Sequence, residues 1–299
     1  MIKEISLYTT MYRIRRFEET VLDEFKRGVF SGTTHTYLGQ EADAAGVIGS
    51  LQAEDIVVTN HRCHGHFLAY GGDMRALFAE LMGKATGVCG GRGGSQHLHW
   101  RNFYSNGVQG GIVPIATGMA LAEKRKGGQT VTVVFIGDGT LGQGVLYESL
   151  NMASLWSAPL LIVVENNHIA QTTPTALTLA GSMAERFQAF GLTVNELDTS
   201  DVLQIQPVAW RMLAEIRASS RPQALILNTE RFGPHSKSDD TRSEEMIEQL
   251  KASRDPLKFS EARISKAELE PIRTQVDEEV GAAFAQALTD PFPAWEAQP

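Results

Sequence analysis

Residues 130–169 read TVTVVFIGDGTLGQGVLYESLNMASLWSAPLLIVVENNHI, where two apolar runs enclose a glycine-rich turn and an amphipathic segment. The first run, residues 131–136, is short and rich in β-branched side chains, which is typical of a buried strand in a parallel sheet. Apolar residues then recur at helical spacing up to Pro159, and a second run covers residues 160–164. The stretch predicts a strand–helix–strand crossover unit, and therefore an α/β fold whose parallel sheet is flanked by helices on both faces.

Polar residues follow both predicted strands. Asp138 ends the first strand and Asn167 ends the second. Ligands of open parallel sheets bind at the carboxyl ends of the strands, so neighbouring strands would direct a carboxylate and an amide oxygen into one pocket. Such oxygens suit Mg²⁺, and a helix N-terminus predicted at residues 140–144 offers free N–H groups to an anion. The pattern predicts a diphosphate held through a metal ion.

A nicotinamide site is the alternative. Gly137, Gly139 and Gly142 also fit the G-x-G-x-x-G fingerprint of dinucleotide-binding turns, and Glu165 falls near the position of the ribose-binding acid. The protein would then be an NAD-dependent oxidoreductase. Asp138 opposes this interpretation, because a carboxylate inside the turn repels a diphosphate unless a cation lies between them. A plain Asp-Gly turn is common, but it does not account for the four glycines of residues 137–144.

The GDG and ENN segments together resemble the pattern of thiamine diphosphate enzymes. Further motifs fall in family order between about residue 12 and residue 256. They resemble the alpha subunit of the decarboxylating component of 2-oxo acid dehydrogenase complexes, of the pyruvate, branched-chain or acetoin type. The resemblance implies the thiamine diphosphate-binding fold, with thiamine diphosphate and Mg²⁺ as cofactors. It places the metal on Asp138, Asn167 and the backbone carbonyl of Ile169.

The resemblance also implies roles for residues in other segments. His35 matches a histidine near the substrate carbonyl, and His235 matches a histidine of the catalytic loop. Arg62 matches the arginine that grips the diphosphate, a task suited to its fork of donors. The implied catalytic residues are His35 and His235. The implied cofactor-binding residues are His61, Arg62, Gly107, Gln109, Gly137, Asp138, Gly139, Thr140, Asn167, Ile169 and His235.

Two positions depart from the family pattern. His61 stands where the family often has tyrosine, and Gly233 with Pro234 stands where a further histidine is common. Both departures leave the substrate open. His61, His64 and His66 also raise the question of a zinc site, but their spacing lacks the helical i, i+4 pairing of such sites.

The activity implied is decarboxylation of a pyruvate-like 2-oxo acid and transfer of the acyl unit to a lipoyl-bearing carrier or acyltransferase. No segment offers a convincing glutamate to activate the cofactor ylid. In the resembled family a separate beta subunit supplies it, which predicts an obligate α₂β₂ heterotetramer. A transketolase-like transfer of a two-carbon unit from a ketose to a carrier protein remains open. So does a binding subunit without catalysis.

The composition limits the classes of partner and the location expected for this protein. The chain has 299 residues and a net charge of −8, which argues against a nucleic-acid partner. No run has transmembrane length, and the first residues do not resemble a signal peptide, so we expect no membrane partner and a cytoplasmic location. Cys63 and Cys89 fit no metal or redox spacing, which favours free thiols.

Local signals outline the remaining chain. They predict helices over residues 115–126, opened by Pro114, and 179–190. Capping boxes are predicted at Thr241 with Glu244 and at Ser265 with Glu268. We predict a cofactor-binding domain over residues 1–260, and a C-terminal helical extension and tail over residues 261–299.

Overall fold

The computed structural model describes residues 3–30, 32–236 and 239–294. The strands are β1 (Ile56–Thr59), β2 (His99–Trp100), β3 (Phe103–Ser105), β4 (Thr132–Gly137), β5 (Leu160–Asn166), β6 (Ile169–Ala170), β7 (Thr173–Pro174), β8 (Thr193–Asp198) and β9 (Gln223–Asn228). The helices are α1 (Glu4–Phe25), α2 (Glu41–Ile48), α3 (Cys63–Ala69), α4 (Met74–Leu81), α5 (Ile112–Lys126), α6 (Gly144–Leu155), α7 (Met183–Gln188), α8 (Val202–Ser219), α9 (Glu244–Arg254), α10 (Pro256–Glu261) and α11 (Lys266–Thr289).

A seven-stranded sheet, in the order β2-β3-β1-β4-β5-β9-β8, forms the centre of the molecule. Every neighbouring pair from β3 to β8 is parallel, and β2 pairs antiparallel with β3 at one edge. The predicted strands around residues 131–136 and 160–164 are direct neighbours, with Gly137 opposite Glu165. The parallel sheet is confirmed, and the carboxyl ends of its central strands lie side by side.

Helices cover both faces of the sheet, as the sequence predicts. Along β4, Val133 and Phe135 pack into one hydrophobic cluster with α1, α2, α3, α4, α8 and α11. Val134 and Ile136 pack into the other cluster, with α5, α6 and α7. Successive side chains of a strand point to opposite faces, so a strand that is apolar throughout needs a layer on each side.

Three local predictions are wrong in detail. Helix α5 begins at Ile112, so Pro114 is its third residue, where the missing N–H costs no helical hydrogen bond. Helix α7 begins only at Met183, because Gly181 has a φ of 71° and Ser182 caps the helix by accepting from the Glu185 N–H. The residues before Gly181 therefore stay outside it.

The third error concerns the start of α9. Ser243 and not Thr241 is its N-cap, and its Oγ accepts from the Met246 N–H at 3.2 Å. The second predicted capping box, Ser265 with Glu268, is confirmed at the start of α11. Pro271 lies inside that helix without ending it.

Helix α11 lies against α1 and α4. Its residues Leu269, Val276 and Val280 belong to the same hydrophobic cluster as one face of the sheet. Arg13 of α1 adds an ion pair to Glu279 at 2.7 Å. The domain boundary near residue 260 stays a prediction. Among the described residues, no helix is both long and apolar enough to cross a membrane.

Candidate active site

A cavity of about 350 Å³ opens at the carboxyl edge of β4 and β5. Its lining residues are Gln40, Asn60, His61, Arg62, Gln109, Gly137, Asp138, Gly139, Thr140, Gln143, Glu165, Asn167, Ile169, Ala170, Gln171 and His235. Every predicted cofactor-binding residue except Gly107 is among them. Gly107 instead lies against the side chain of Gln96, whose Nε2 is 3.4 Å from Nδ1 of His35. His35 borders the cavity through its neighbour His61, since their ring centroids are 4.3 Å apart.

Asp138 and Asn167 present oxygens to this cavity. Asp138 is buried, its Oδ1 accepts from the Gly139 N–H at 2.9 Å, and its Oδ2 accepts from the Thr175 hydroxyl. Burial raises the pKa of this carboxyl. The Asn167 amide donates to Oε1 of Gln40 at 3.1 Å, which leaves its Oδ1 buried without a hydrogen-bond partner in the described part of the chain. Buried oxygens of this kind could hold a hard cation.

The turn after β4 differs from the prediction. Residues Asp138–Gly142 form a 3₁₀ helix, Gln143 is extended, and α6 begins at Gly144. The free N–H groups of the α-helix therefore lie one turn further along the chain than expected. This arrangement buries Asp138 beside β5, where its carboxylate lines the cavity.

Two arginines place positive charge at the cavity. Arg62 donates from Nη1 to the Thr36 carbonyl at 2.7 Å and from Nη2 to the His235 carbonyl at 3.1 Å. Arg231 is 1% exposed, and only its Nη2 has a hydrogen bond in the described structure, to the Gln171 carbonyl at 3.2 Å. Burial, followed by the repulsion between the two, lowers the pKa of Arg62 to about 9. For Arg231, burial and then Arg242 lower the pKa to about 10.

Buried guanidinium groups without a carboxylate partner are costly, and an anion would relieve that cost. The sequence reasoning did not single out Arg231. Its position could have shown it, because Arg231 follows the carboxyl end of β9, the strand beside β5. Gly39 brings this segment to the His35 loop: it has a φ of 95°, and any side chain there would collide with the Glu230 carbonyl. The Phe232 N–H also donates to the Leu38 carbonyl at 3.0 Å.

His35, His61 and His235 gather at the mouth of the cavity. The ring centroid of His235 is 4.8 Å from that of His35 and 5.3 Å from that of His61. Burial, and next the Arg62 charge, lower the pKa of His35 to about 3 and that of His235 to about 4. The same causes hold the pKa of His61 well below its usual value. All three imidazoles are therefore neutral at pH 7.

His64 and His66 belong to the protein interior. His64 lies 3.2 Å from the Glu18 carboxylate and 2.8 Å from the Ser95 hydroxyl. His66 lies 2.9 Å from the Thr59 hydroxyl and 3.0 Å from Oε1 of Glu165. Both rings are fully buried and have partners on both nitrogens, so they do not form a zinc site with His61.

Glu165 forms part of the cavity floor. It accepts from the Tyr37 hydroxyl, contacts His66, and lies 3.4 Å from the Asn60 amide. Its carboxylate is thus engaged by the protein interior. This binding pattern does not favour the role of a ribose-binding acid, which needs oxygens free to meet a ligand.

Residues 9–296 match the family model described as the dehydrogenase E1 component. The chain belongs to the dehydrogenase E1 component family. It is 37% identical to a pyruvate dehydrogenase E1 component subunit alpha of Zymomonas mobilis, over 98% of this chain and 86% of the relative. It is 34% identical to the same subunit of Rhizobium meliloti, over 97% and 87%. It is 33% identical to the alpha subunit of an acetoin:2,6-dichlorophenolindophenol oxidoreductase of Bacillus subtilis, over 97% and 90%.

Four residues that line or border the cavity come from four separate regions of this E1 chain. Arg62 follows β1, Asp138 follows β4, Asn167 follows β5, and Arg231 follows β9. All four follow strands that are parallel and adjacent in the sheet. The fold therefore places two arginines and the oxygens of Asp138 and Asn167 near one another at the carboxyl ends of its central strands.

Proposed function

We propose that this E1 chain is the alpha subunit of a thiamine diphosphate-dependent 2-oxo acid dehydrogenase. It would decarboxylate a pyruvate-like acid and pass the acyl unit to a lipoyl-bearing carrier. The observation that carries the proposal is the position of two arginines near the buried oxygens of Asp138 and Asn167. Arg62 lines the cavity, and Arg231 lies beside it, bonded to the lining residue Gln171. Neither guanidinium forms an ion pair within the described residues. A diphosphate with a divalent cation satisfies both sets of atoms.

The proposed cofactor roles combine these contacts with the family pattern. Asp138, Asn167 and the Ile169 carbonyl would hold Mg²⁺, and Arg62, Arg231 and His235 would face the diphosphate. Gln109 and Thr140 would contact the remainder of the cofactor, together with the backbone near Gly107. When bound, thiamine diphosphate supplies the electron sink for decarboxylation.

The histidines would handle protons near the substrate. Their pKa values, about 3 for His35 and about 4 for His235, leave both rings neutral but weakly basic at pH 7. A diphosphate bound nearby would raise these pKa values and make each ring a better proton acceptor. Arg62 contacts both the carbonyl and Nδ1 of His235, the latter at 3.2 Å. This contact fixes the ring at the cavity mouth and makes Arg62 a positioning residue as well as an anion ligand.

A second subunit would complete the site. The carboxylates among the described lining residues are Asp138 and Glu165. Asp138 faces the proposed metal, and Glu165 is engaged by Tyr37 and His66. Neither is free to activate the aminopyrimidine end of the cofactor. We therefore propose that a beta subunit supplies that glutamate in an α₂β₂ heterotetramer, which would be located in the cytoplasm.

A transketolase-like reaction is the second candidate. His61 favours this reaction. Its Nε2 is buried without a hydrogen-bond partner in the described structure, and its ring lies beside those of His35 and His235 at the cavity mouth. Extra hydrogen-bonding capacity suits a hydroxylated two-carbon donor. Carbon dioxide release from pyruvate, compared with glycolyl transfer from a ketose phosphate to a carrier protein, would separate the two reactions. The nicotinamide alternative is not favoured, given Asp138 in the cavity and the family assignment.

Titration of the purified protein with thiamine diphosphate tests the proposal. We expect tight binding only with Mg²⁺, and roughly a 10–100-fold loss of affinity in Arg231→Met, the value of one charge-assisted hydrogen bond or two. Arg221→Met removes an exposed arginine before β9 and should leave the affinity unchanged. Mg²⁺-independent binding, or equal affinity in both variants, would refute the site.

Native mass spectrometry tests the assembly. The protein purified from its own source should retain a second chain in equal stoichiometry, with thiamine diphosphate and Mg²⁺. A homo-oligomer that carries a nicotinamide nucleotide would overturn the proposal.

A further inference from the structure

Three imidazoles from distant segments converge at the cavity mouth. His35 precedes α2, His61 follows β1, and His235 lies in the segment after β9. One ring nitrogen from each lies within 4.8 Å of the other two. A tetrahedral metal with nitrogen ligands at about 2.0–2.1 Å needs those nitrogens roughly 3.4 Å apart, so modest side-chain rotations close the gap.

Two of the three imidazoles have a glutamine neighbour that can orient them. The amide nitrogen of Gln96 lies 3.4 Å from Nδ1 of His35, and the amide nitrogen of Gln109 faces Nδ1 of His61. Either end of an amide can meet an imidazole nitrogen, because its oxygen accepts and its nitrogen donates. A half-turn of each amide would place its oxygen at Nδ1 instead; His35 and His61 would then keep their protons on Nδ1 and present Nε2 as a lone pair. Metal-binding histidines are commonly oriented in this way.

The free nitrogen of His61 points to a ligand. His61 Nε2 is buried and has no hydrogen-bond partner in the described residues.

We infer that His35, His61 and His235 form a transition-metal site, separate in chemistry from the oxygen ligands of Asp138 and Asn167. Three imidazoles suit Zn²⁺, Co²⁺, Ni²⁺ or Cu²⁺ and do not suit Mg²⁺ or Ca²⁺, which prefer oxygen. Three protein ligands leave a fourth position open to water or to a carboxylate of the substrate.

The charges nearby set the strength of the site. Arg62 competes for the His235 ring through its contact with Nδ1, and its charge repels a cation. Arg231 adds to this repulsion. We therefore expect moderate affinity that rises when Arg62 is replaced. Binding of the metal does not depend on the proposed function.

Inhibition by the metal rests on the proposed function: an ion bound to His35 and His235 would prevent their proton transfers and inhibit the enzyme.

Titration of the full-length chain with Co²⁺, in excess Mg²⁺, tests the inference directly. Nitrogen-ligated tetrahedral Co²⁺ absorbs visible light much more strongly than oxygen-ligated octahedral Co²⁺, so occupancy of the Asp138 site would not be mistaken for it. We expect a strong band that saturates at one ion per chain. The Co²⁺ affinity obtained from this band should fall at least tenfold in His61→Phe and should rise in Arg62→Gln. The matched control is His97→Phe, which removes an exposed imidazole outside the cluster.

The opposite results would overturn the inference. A band that persists unchanged in His61→Phe would place the ion elsewhere, and no saturable band would mean no site. X-ray absorption at the cobalt edge of the unmutated protein gives a second answer if a variant fails to fold. Three imidazole ligands would support the site, and a shell of oxygen ligands would exclude it.

Discussion

Asp138 shows how a single residue links stability to function. Its carboxyl is buried, and burial raises its pKa above the usual value. A carboxyl that binds its proton more tightly in the folded state costs stability once the pH rises through the folded pKa. Hydrogen bonds from the Gly139 N–H and the Thr175 hydroxyl offset part of this cost, and the cation proposed above would offset more of it.

Asp138→Asn should therefore separate the two effects. We expect the cofactor-free protein to melt at the same or a higher temperature, because a buried charge is removed. We expect the Mg²⁺-dependent affinity for thiamine diphosphate to fall more than about 100-fold. Replacing a residue that only supports a metal ligand typically costs about 10–100-fold, and Asp138 is proposed to bind the metal directly. Calorimetric melting and ligand titration measure the two quantities. A variant that melts earlier and binds normally would contradict this account.

The three cavity-mouth histidines predict a pH effect of the opposite sign. The pKa values in the fold, about 3 for His35 and about 4 for His235, lie below the ordinary histidine value of 6.5. Between these values the unfolded chain binds more protons, so stability falls as the pH drops from about 6.5 towards 4.

Melting temperatures between pH 7 and pH 4.5 test this effect. The decline should be shallower in His35→Phe than in the unmutated protein, and His97→Phe should follow the unmutated protein. Inorganic pyrophosphate should reduce the decline, because an anion beside the imidazoles favours their charged form. Identical slopes for all three proteins would show that other groups control acid stability.

At the level of structural elements, Glu80 organises the glycine-rich loop after α4. This buried carboxylate accepts from the N–H groups of Cys89 at 2.6 Å, Gly91 at 2.9 Å, Gly93 at 2.7 Å and Gly94 at 3.1 Å. The loop leads to Gln96, which contacts His35. Glu80 thus connects the end of a helix to the cavity mouth.

Glu80→Gln should destabilise the protein by about 3 kcal/mol, since one amide oxygen replaces two carboxylate oxygens and buried N–H groups lose their acceptors. Denaturant unfolding measures the difference. Glu148→Gln, at an exposed position of α6, should change stability by less than about 0.5 kcal/mol. A loss below 1 kcal/mol for Glu80→Gln would mean that the loop holds its shape without this carboxylate.

At the scale of the whole molecule, the packing of α11 bears on the predicted domain boundary near residue 260. Leu269, Val276 and Val280 are each at most 3% exposed and pack on the cluster that covers one sheet face. Burying each such side chain contributes about 1.5–3 kcal/mol, and their sum approaches the total stability of an ordinary domain.

A chain that ends at residue 260 should therefore fail to fold. We expect loss of cooperative melting and aggregation on gel filtration, because the apolar faces of α1 and α4 become exposed. Truncation after residue 294 is the control and should leave the melt intact. If residues 1–260 instead melt cooperatively within a few degrees of the full chain, they form an independent domain.

The sequence by itself determined the central strands, the helices on both sides and the oxygens at the strand ends. These features depend on short-range periodicity and on strand order, so Asp138 and Asn167 could be placed from the crossover unit. It also identified the Ser265 capping box, whose partners are three residues apart. The residues implied by family resemblance line the cavity with the exception of Gly107 and His35, and Arg62 and His235 are among the lining residues.

The tertiary structure decided the features that join distant parts of the chain. Arg231 becomes an anion ligand candidate only because β9 packs beside β5, and the three histidines meet only when three loops converge. Tertiary contacts also determine where α9 begins. Arg242 donates to the carbonyls of Arg231 and Gly233 at 2.6 and 2.9 Å, which holds the preceding residues outside the helix. Periodicity describes neighbours along the chain, whereas burial and charge at this site come from segments that meet only in the folded state.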